Sequence, residues 1–297
     1  MELFASFETE HEMIGHRWLQ ATDAYMSLAW QDLTPAERVH PSVVSAILLL
    51  TQEAQTVQEA LLGTCQAIVR GERVGERDYY LFPHALLRYV RQRGNVTTFL
   101  PYLDGLSVAY RANPDTCSAW ELGAYLDVQK LLSHAGRPLP KHESGVLLSA
   151  YHARRFDSSA MLYTAENGEV DLTENLLAGY FDFVSDEARE TVCRYLSAES
   201  FGVLRENRFF LYEALTNLEA YEPLLASLLE AGNPATDPIG ACAFCTTVIE
   251  GLLGVDVSYF GKGLYRATSH MPSGVAYKLH LPYHAGVMVF VQDDEVL

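Results

Sequence analysis

FASFETEHEMIGHRWLQATDAYMSL, residues 4–28, decides the class of the fold. Phe4, Phe7, His11, Ile14, Trp18, Ala21, Tyr25 and Leu28 step along it by threes and fours, the spacing that lines one face of an amphipathic helix. Glu8, Glu12, Arg17 and Asp23 are set off from that face, so the stretch predicts a single helix.

Helical signals continue outward from it. Thr34-Pro35-Ala36-Glu37 joins a capping box to a proline at the first helical position, and both satisfy or remove orphan amide donors. A long helix is then expected from Ser42 to Arg70, with Val44, Ile47, Leu48, Thr51, Ala54, Val57, Leu61, Cys65 and Ile68 inward and Gly71 as its stop. GERVGERD (71–78) reads as a loop, Pro83–Arg93 as a helix closed by Gly94, and Cys117–His134 as a helix ending at Gly136. RPLPKHES (137–144) and AGNPATDP (231–238) are turn-rich breaks. Between them the helical pattern runs from Ser185, as an N-cap with Asp186 and Glu187 in the first turn, to Gly232. LLSHAG (131–136), NLLAGY (175–180) and SLLEAG (227–232) rhyme at unequal spacing, a faint helical repeat that lacks the ankyrin period of about 33 residues.

The tail changes character. Ala241–Leu253 reads as a helix closed by Gly254, and three segments then alternate with period two: Val255, Val257 and Tyr259; Val275, Tyr277, Leu279 and Leu281; Val287, Val289 and Val291. GKG, MPSG and PYHAG separate them, as in an antiparallel meander. The expected fold is therefore mostly α, a multi-helix body with a small C-terminal α+β element of one helix plus an antiparallel three-stranded meander. Its expected divisions are an N-terminal helical region at 1–136, a second helical region at 137–234 and an α+β module at 235–297.

Composition limits the partners. Hydrophobic residues make up 49% of the 297, with 17 Tyr and 13 Phe, enough for a sizeable core. The formal charge of −17, from 38 acidic against 21 basic residues, disfavours duplex nucleic acid and anionic membrane, which both demand concentrated positive charge. The densest basic stretch, Arg88, Arg91 and Arg93, reads as the solvated end of a helix. Five Cys read as free thiols in a reducing compartment. MELFASFETEHE has neither the basic region nor the apolar core of a secretory signal, and Val43–Leu50 is too short for a membrane span. The expected location is cytoplasmic.

Two constellations could carry chemistry. Glu8 and His11 have the Glu-x-x-His spacing that bundles use for dinuclear metals, although no second such pair faces them. Cys242-x-x-Cys245 with His280-x3-His284 has the residue types of a zinc site, although His280 and His284 would be about 13 Å apart on an extended strand. No phosphate-binding Gly-rich loop, Walker motif or G-x-S-x-G is present. No cofactor is required by these patterns; zinc is the one they would admit.

The tail also carries a family likeness. CAFCTTVIEGLLG (242–254), followed by VDVSYFGKGLYRA (255–267) and GVAYKLHLP (274–282), resembles the closing helix and strands of the 4-vinyl-reductase-type domain, whose superfamily includes subunits of the TRAPP tethering complexes. It departs from that pattern in having no Cys after Cys245. The resemblance implies a sensory or scaffold module that binds a small ligand, a lipid chain or another subunit.

The leading expectation is a non-catalytic regulatory or adaptor protein that receives a protein partner or a small apolar ligand. Cys242, Cys245, Ile249, Tyr259 and Tyr277 are the candidate contacts, because Cys245, Ile249 and Leu252 share a helix face that must cover the sheet. The alternatives are a metal or thiol enzyme built on Cys242, Cys245, His280 and His284 or on Glu8 and His11, and a structural subunit of a larger assembly.

Overall fold

The computed structural model describes residues 3, 5–28, 30–51, 53–72, 75–93, 95–137, 141–199, 207–230, 237–256, 267–283 and 286–292. The described residues form α1 (Glu12–Met26), α2 (Pro35–Arg38), α3 (Pro41–Leu50), α4 (Ala54–Val69), α5 (Glu76–Arg93), α6 (Leu103–Ala109), α7 (Ala119–His134), α8 (Lys141–Arg155), α9 (Leu172–Tyr180), α10 (Arg189–Ala198), α11 (Arg208–Asn217), α12 (Tyr221–Glu230) and α13 (Pro238–Thr247). The strands are β1 (Ser6–Thr9), β2 (Phe156–Asp157), β3 (Leu162–Tyr163), β4 (Tyr277–Tyr283) and β5 (Gly286–Gln292). The protein is mostly α with one small antiparallel three-stranded sheet, and β2 and β3 form a separate two-stranded turn.

Burial sorts the helices into two layers. Every residue of α3 is buried, and α5, α7, α9, α11 and α13 are buried over most of their surface. By contrast α1, α4, α10 and α12 bury a single stripe, as surface helices do. The buried set closes a ring: α3 packs on α5, α5 on α7, α7 on α9, α9 on α11, α11 on α13, and α13 back on α3. One hydrophobic cluster runs through the whole arrangement from Ala5 to Met288.

Local chemistry starts these helices where the sequence says it should. Thr34 and Glu37 form the expected capping box at α2. Ser118 does the same at α7, its hydroxyl accepting from the Glu121 amide at 3.3 Å while the Glu121 carboxylate accepts from the Ser118 amide at 2.8 Å. His40 caps α3, its Nδ1 accepting from the Ser42 amide at 3.3 Å.

The expected helix from Ser42 to Arg70 is two helices. The Thr51 hydroxyl donates to the Ile47 carbonyl at 2.7 Å and accepts from the Glu53 amide at 3.3 Å, drawing the backbone into an extended conformation between α3 and α4. The expected loop at 71–78 becomes helical from Glu76, and the expected break at 137–144 becomes helical from Lys141. The expected N-cap, Ser185, lies one turn before α10, where its carbonyl accepts from the Ala188 and Arg189 amides.

The chain's first residues contribute the third strand of the sheet. The order is β1-β4-β5, with Phe7 opposite Leu279 and Leu279 opposite Phe290. The expected helix over 4–28 thus begins only at Glu12, and His11 is its N-cap. Val255, expected in the first strand of a tail meander, makes an isolated antiparallel bridge to Ala267; Val257 and Tyr259 lie outside the described residues. Phe7, Tyr277, Leu279 and Leu281 point inward, while Ser6, Glu8 and Lys278 face out.

Burial lowers the His40 pKa to about 3, with Arg77 and Arg88 adding to the effect, so this cap is neutral in the fold. A histidine depressed in the folded state gives its full stability above the unfolded pKa of about 6.5 and loses about 1.4 kcal/mol per pH unit below it. Between pH 6.5 and 4, urea denaturation should therefore show a steeper loss of stability for the wild type than for His40→Asn, which keeps a capping acceptor that does not titrate. Parallel pH profiles would show that His40 is not linked to folding.

Candidate functional site

A cleft of about 590 Å³ opens at one end of the helical ring. Its floor is set by α5, α11 and the segment after α13. There the helix passes into a single π-helical turn, Val248–Leu252, which carries Glu250. Such turns are frequent at functional sites, because one extra residue re-aims a side chain without ending the helix. Gly254 follows at φ +57, and a Cβ there would fall 1.9 Å from the Thr268 carbonyl oxygen, so only glycine lets the two segments close the cleft wall.

Arg88 is the centre of the site. It is 8% exposed, and all three of its nitrogens are engaged. Nη1 donates to Ser45 Oγ at 2.9 Å and to Glu250 Oε2 at 2.7 Å, Nη2 donates to both carboxylate oxygens of Glu213, and Nε donates to His84 Nε2 at 3.3 Å. Because Arg88 can only donate, His84 Nε2 accepts, and the ring carries its proton on Nδ1. That proton is donated to Asp127 Oδ2 at 2.8 Å, and Lys130 reaches Asp127 Oδ1 at 3.1 Å. Tyr180 packs its ring 4.8 Å from His84, and its buried hydroxyl has no hydrogen-bond partner among the described residues. The network thus draws on five helices of the ring, Ser45, Arg88, Asp127 and Glu213 belonging to α3, α5, α7 and α11 and Glu250 to the turn that extends α13, while Tyr180 of α9 packs against it.

The electrostatics follow from this geometry. Burial works against the Arg88 charge, but Glu213 and Glu250 outweigh it and hold the guanidinium above its ordinary range. Burial opposes ionisation of Asp127 as well, and Lys130 and His84 reverse that to hold it below the usual carboxylate range. Glu250 is pushed up, chiefly by burial, with Arg88 opposing and Glu213 adding to the shift.

The outer wall differs in character. Tyr221 and His270 stack face to face, 3.5 Å between ring centroids and 4° between planes, and burial lowers the His270 pKa. Thr216, Asn217, Glu219, Asp256, Thr268 and Arg91 also line the cleft, with the apolar Leu87 and Val255.

The residues expected from sequence lie elsewhere. Cys242, Cys245 and Ile249 are fully buried in the core, and burial pushes both thiols well up. Tyr277 is buried under the sheet, beside Phe7. His280 lies on the opposite, outer face of β4, within hydrogen-bond distance of the exposed Ser6 hydroxyl, so the sheet separates it from the two cysteines. Tyr259 and His284 lie outside the described residues. Glu8 is exposed on β1 while His11 caps α1, so the Glu-x-x-His pair never shares a helix. Among the described residues no group of three or more His, Cys, Asp or Glu is placed to hold a metal ion. Arg88, expected on a solvated helix end, is instead buried within the ring. The signal was present: His84, Arg88 and Gln92 recur at four-residue spacing on a helix otherwise flanked by Phe82, Ala85, Leu86, Leu87, Tyr89 and Val90.

No protein-family model matches the chain, and no curated protein matches it in sequence. Its fold is similar to that of a rhamnosidase. The solved structure of the GH78-family rhamnosidase of Bacillus sp. GL1 superposes with a TM-score of 0.71 at 12% identity, over 95% of this chain and 39% of that one. The chain thus spans about two fifths of that protein's length, and the likeness concerns fold alone. No helix among the described residues is long and apolar enough to cross a membrane.

Two measurements test the site's construction. Arg88→Ala strands two partly buried carboxylates and should destabilise by about 3–5 kcal/mol in urea denaturation, with Arg88→Lys recovering only part, since an ammonium cannot reproduce a five-donor fork. A loss below about 1 kcal/mol would mean that the carboxylates do not depend on the guanidinium. Native thiol labelling should leave Cys242 and Cys245 unmodified until global unfolding, and fast labelling of either would place a channel through the core.

Proposed function

We propose that the chain is a non-catalytic ligand-binding protein whose ligand is a small polyhydroxylated molecule of the carbohydrate class, held in the Arg88 cleft. The observation that carries this reading is the make-up of the cleft. Planar polar groups, the Glu213 and Glu250 carboxylates and the Asn217 amide, line the same cleft as the Tyr221–His270 stack, together with Thr216 and Thr268. Paired hydroxyls match carboxylates and amides, the apolar face of a pyranose matches an aromatic shelf, and the volume fits a small ligand. The superposition on a rhamnosidase supports the same class. The carboxylates, amide and hydroxyls in the lining argue for this ligand over the apolar one expected from the tail, and the resemblance to the 4-vinyl-reductase-type domain agrees only in implying a ligand-receiving module.

Binding is favoured over hydrolysis by the state of the two acids. Inverting glycosidases keep an acid and a base roughly 6.5–9.5 Å apart with a water between, and retaining ones about 5–5.5 Å apart. Here both carboxylates are drawn onto the terminal nitrogens of one guanidinium. A hydrolase remains the second reading, because the raised pKa of Glu250 is the property a general acid needs.

Titration calorimetry with rhamnose, glucose, galactose, mannose and their amino derivatives should find at least one binder. Tyr221→Ala should weaken it about tenfold, the order expected for removing one aromatic contact. No heat with any saccharide would overturn the proposal. Release of nitrophenol from aryl glycosides, abolished by Glu250→Gln, would replace it with the second reading.

A further inference from the structure

We infer that the ligand carries a cationic nitrogen, seated against Glu213 and Glu250, so that amino sugars are preferred over their neutral parents. The inference rests on the carbohydrate-class reading above and narrows it.

The argument begins with what the cleft has left to offer. All three Arg88 nitrogens are engaged inside the protein, so the deepest cation is already committed to protein acceptors. The two carboxylates are not saturated. Each has about four acceptor sites. Glu213 accepts from Nη2 of Arg88 alone among the described residues, and Glu250 accepts from Nη1 and, at a long 3.4 Å, from Gln92 Nε2. Both side chains remain partly open, at 19% and 17% exposure, and both line the cleft.

Gln92 is an independent sign of the same deficit. It is 4% exposed, its amide nitrogen is turned toward Glu250, and its own carbonyl oxygen is buried with no hydrogen-bond partner among the described residues. A flipped amide would set its oxygen against the carboxylate, so the orientation is fixed by charge. Acceptors without donors thus cluster around Glu250, and an unmade buried acceptor is costly to leave.

Charge points the same way. Among the described residues four carboxylates line the cleft (Glu213, Glu219, Glu250, Asp256) beside two guanidiniums (Arg88, Arg91). His84 Nε2 accepts from Arg88, Lys130 is spent on Asp127, and burial lowers the His270 pKa. An ammonium supplies three donors and one positive charge where both are missing.

The test compares matched ligands on the full chain at pH 6.5: glucosamine with glucose and N-acetylglucosamine, and galactosamine with galactose, by titration calorimetry. At least one amine should bind ten times or more tightly than its neutral parent. N-acetylation should remove that advantage, and 0.5 M salt should reduce it. In Glu213→Gln and Glu250→Gln the ratio should fall below about threefold, and the acetylated ligand gives the same answer without any variant. Equal or tighter binding of the neutral parents would overturn this inference and leave the carbohydrate reading standing. Absence of binding by every sugar would overturn both.

Discussion

Arg88 ties five of the six ring helices to one point, and the rest of the structure is arranged so that it can. A buried guanidinium is stable only when each of its donors finds an acceptor, and here the acceptors come from α3, α5, α11 and the turn after α13, with α7 reached through His84 and Asp127. A hydrophobic ring can slide, since apolar contacts are not directional. A five-donor fork cannot, because a shift of any helix leaves a charge unpaired in low dielectric. The network therefore sets the mutual register of helices whose apolar faces would tolerate several, and the same fixed polar groups form the cleft floor.

The helical class was legible because period and caps act locally. From Ile14 to Tyr25 the three-and-four spacing gave the buried face correctly, and Ser118, Asp171 and Asp237 cap the helices that follow them. Phe7 was read as inward and is inward, yet on a strand, since both the helical and the alternating period place it on the core side. The break at Thr51 was hidden for a related reason: threonine is tolerated within a helix, and only its hydroxyl's choice of partners ends α3 there.

The site was far less legible. Ser45, Arg88, Glu213 and Glu250 lie on four separate segments, and nothing local says that they meet; ring closure brings them together. What the sequence did carry was misfit. Glu250 is the one charge in TTVIEGLLG, Glu213 stands in FFLYEALT, and Arg88 in ALLRYV, each a charge in an apolar run that burial must leave paired. The cysteines drew notice because their motif has a chemistry of its own, yet packing rather than reactivity explains them: two small, apolar side chains facing the core at the closing helix of the ring.

The strand order β1-β4-β5 has a consequence for how the molecule comes into being. Ser6 meets His280, a separation of 274 positions, and α13 must reach back to both α1 and α3 before the ring is complete. Contacts so distant along the chain carry a large loop-closure entropy and form late. As the polypeptide leaves the ribosome, β1 emerges well before β4 and waits without its pairing partner while the residues between them are made. Throughout that interval Phe7 and the inward face of α3 are uncovered apolar surface, the state in which a growing chain is most prone to associate wrongly.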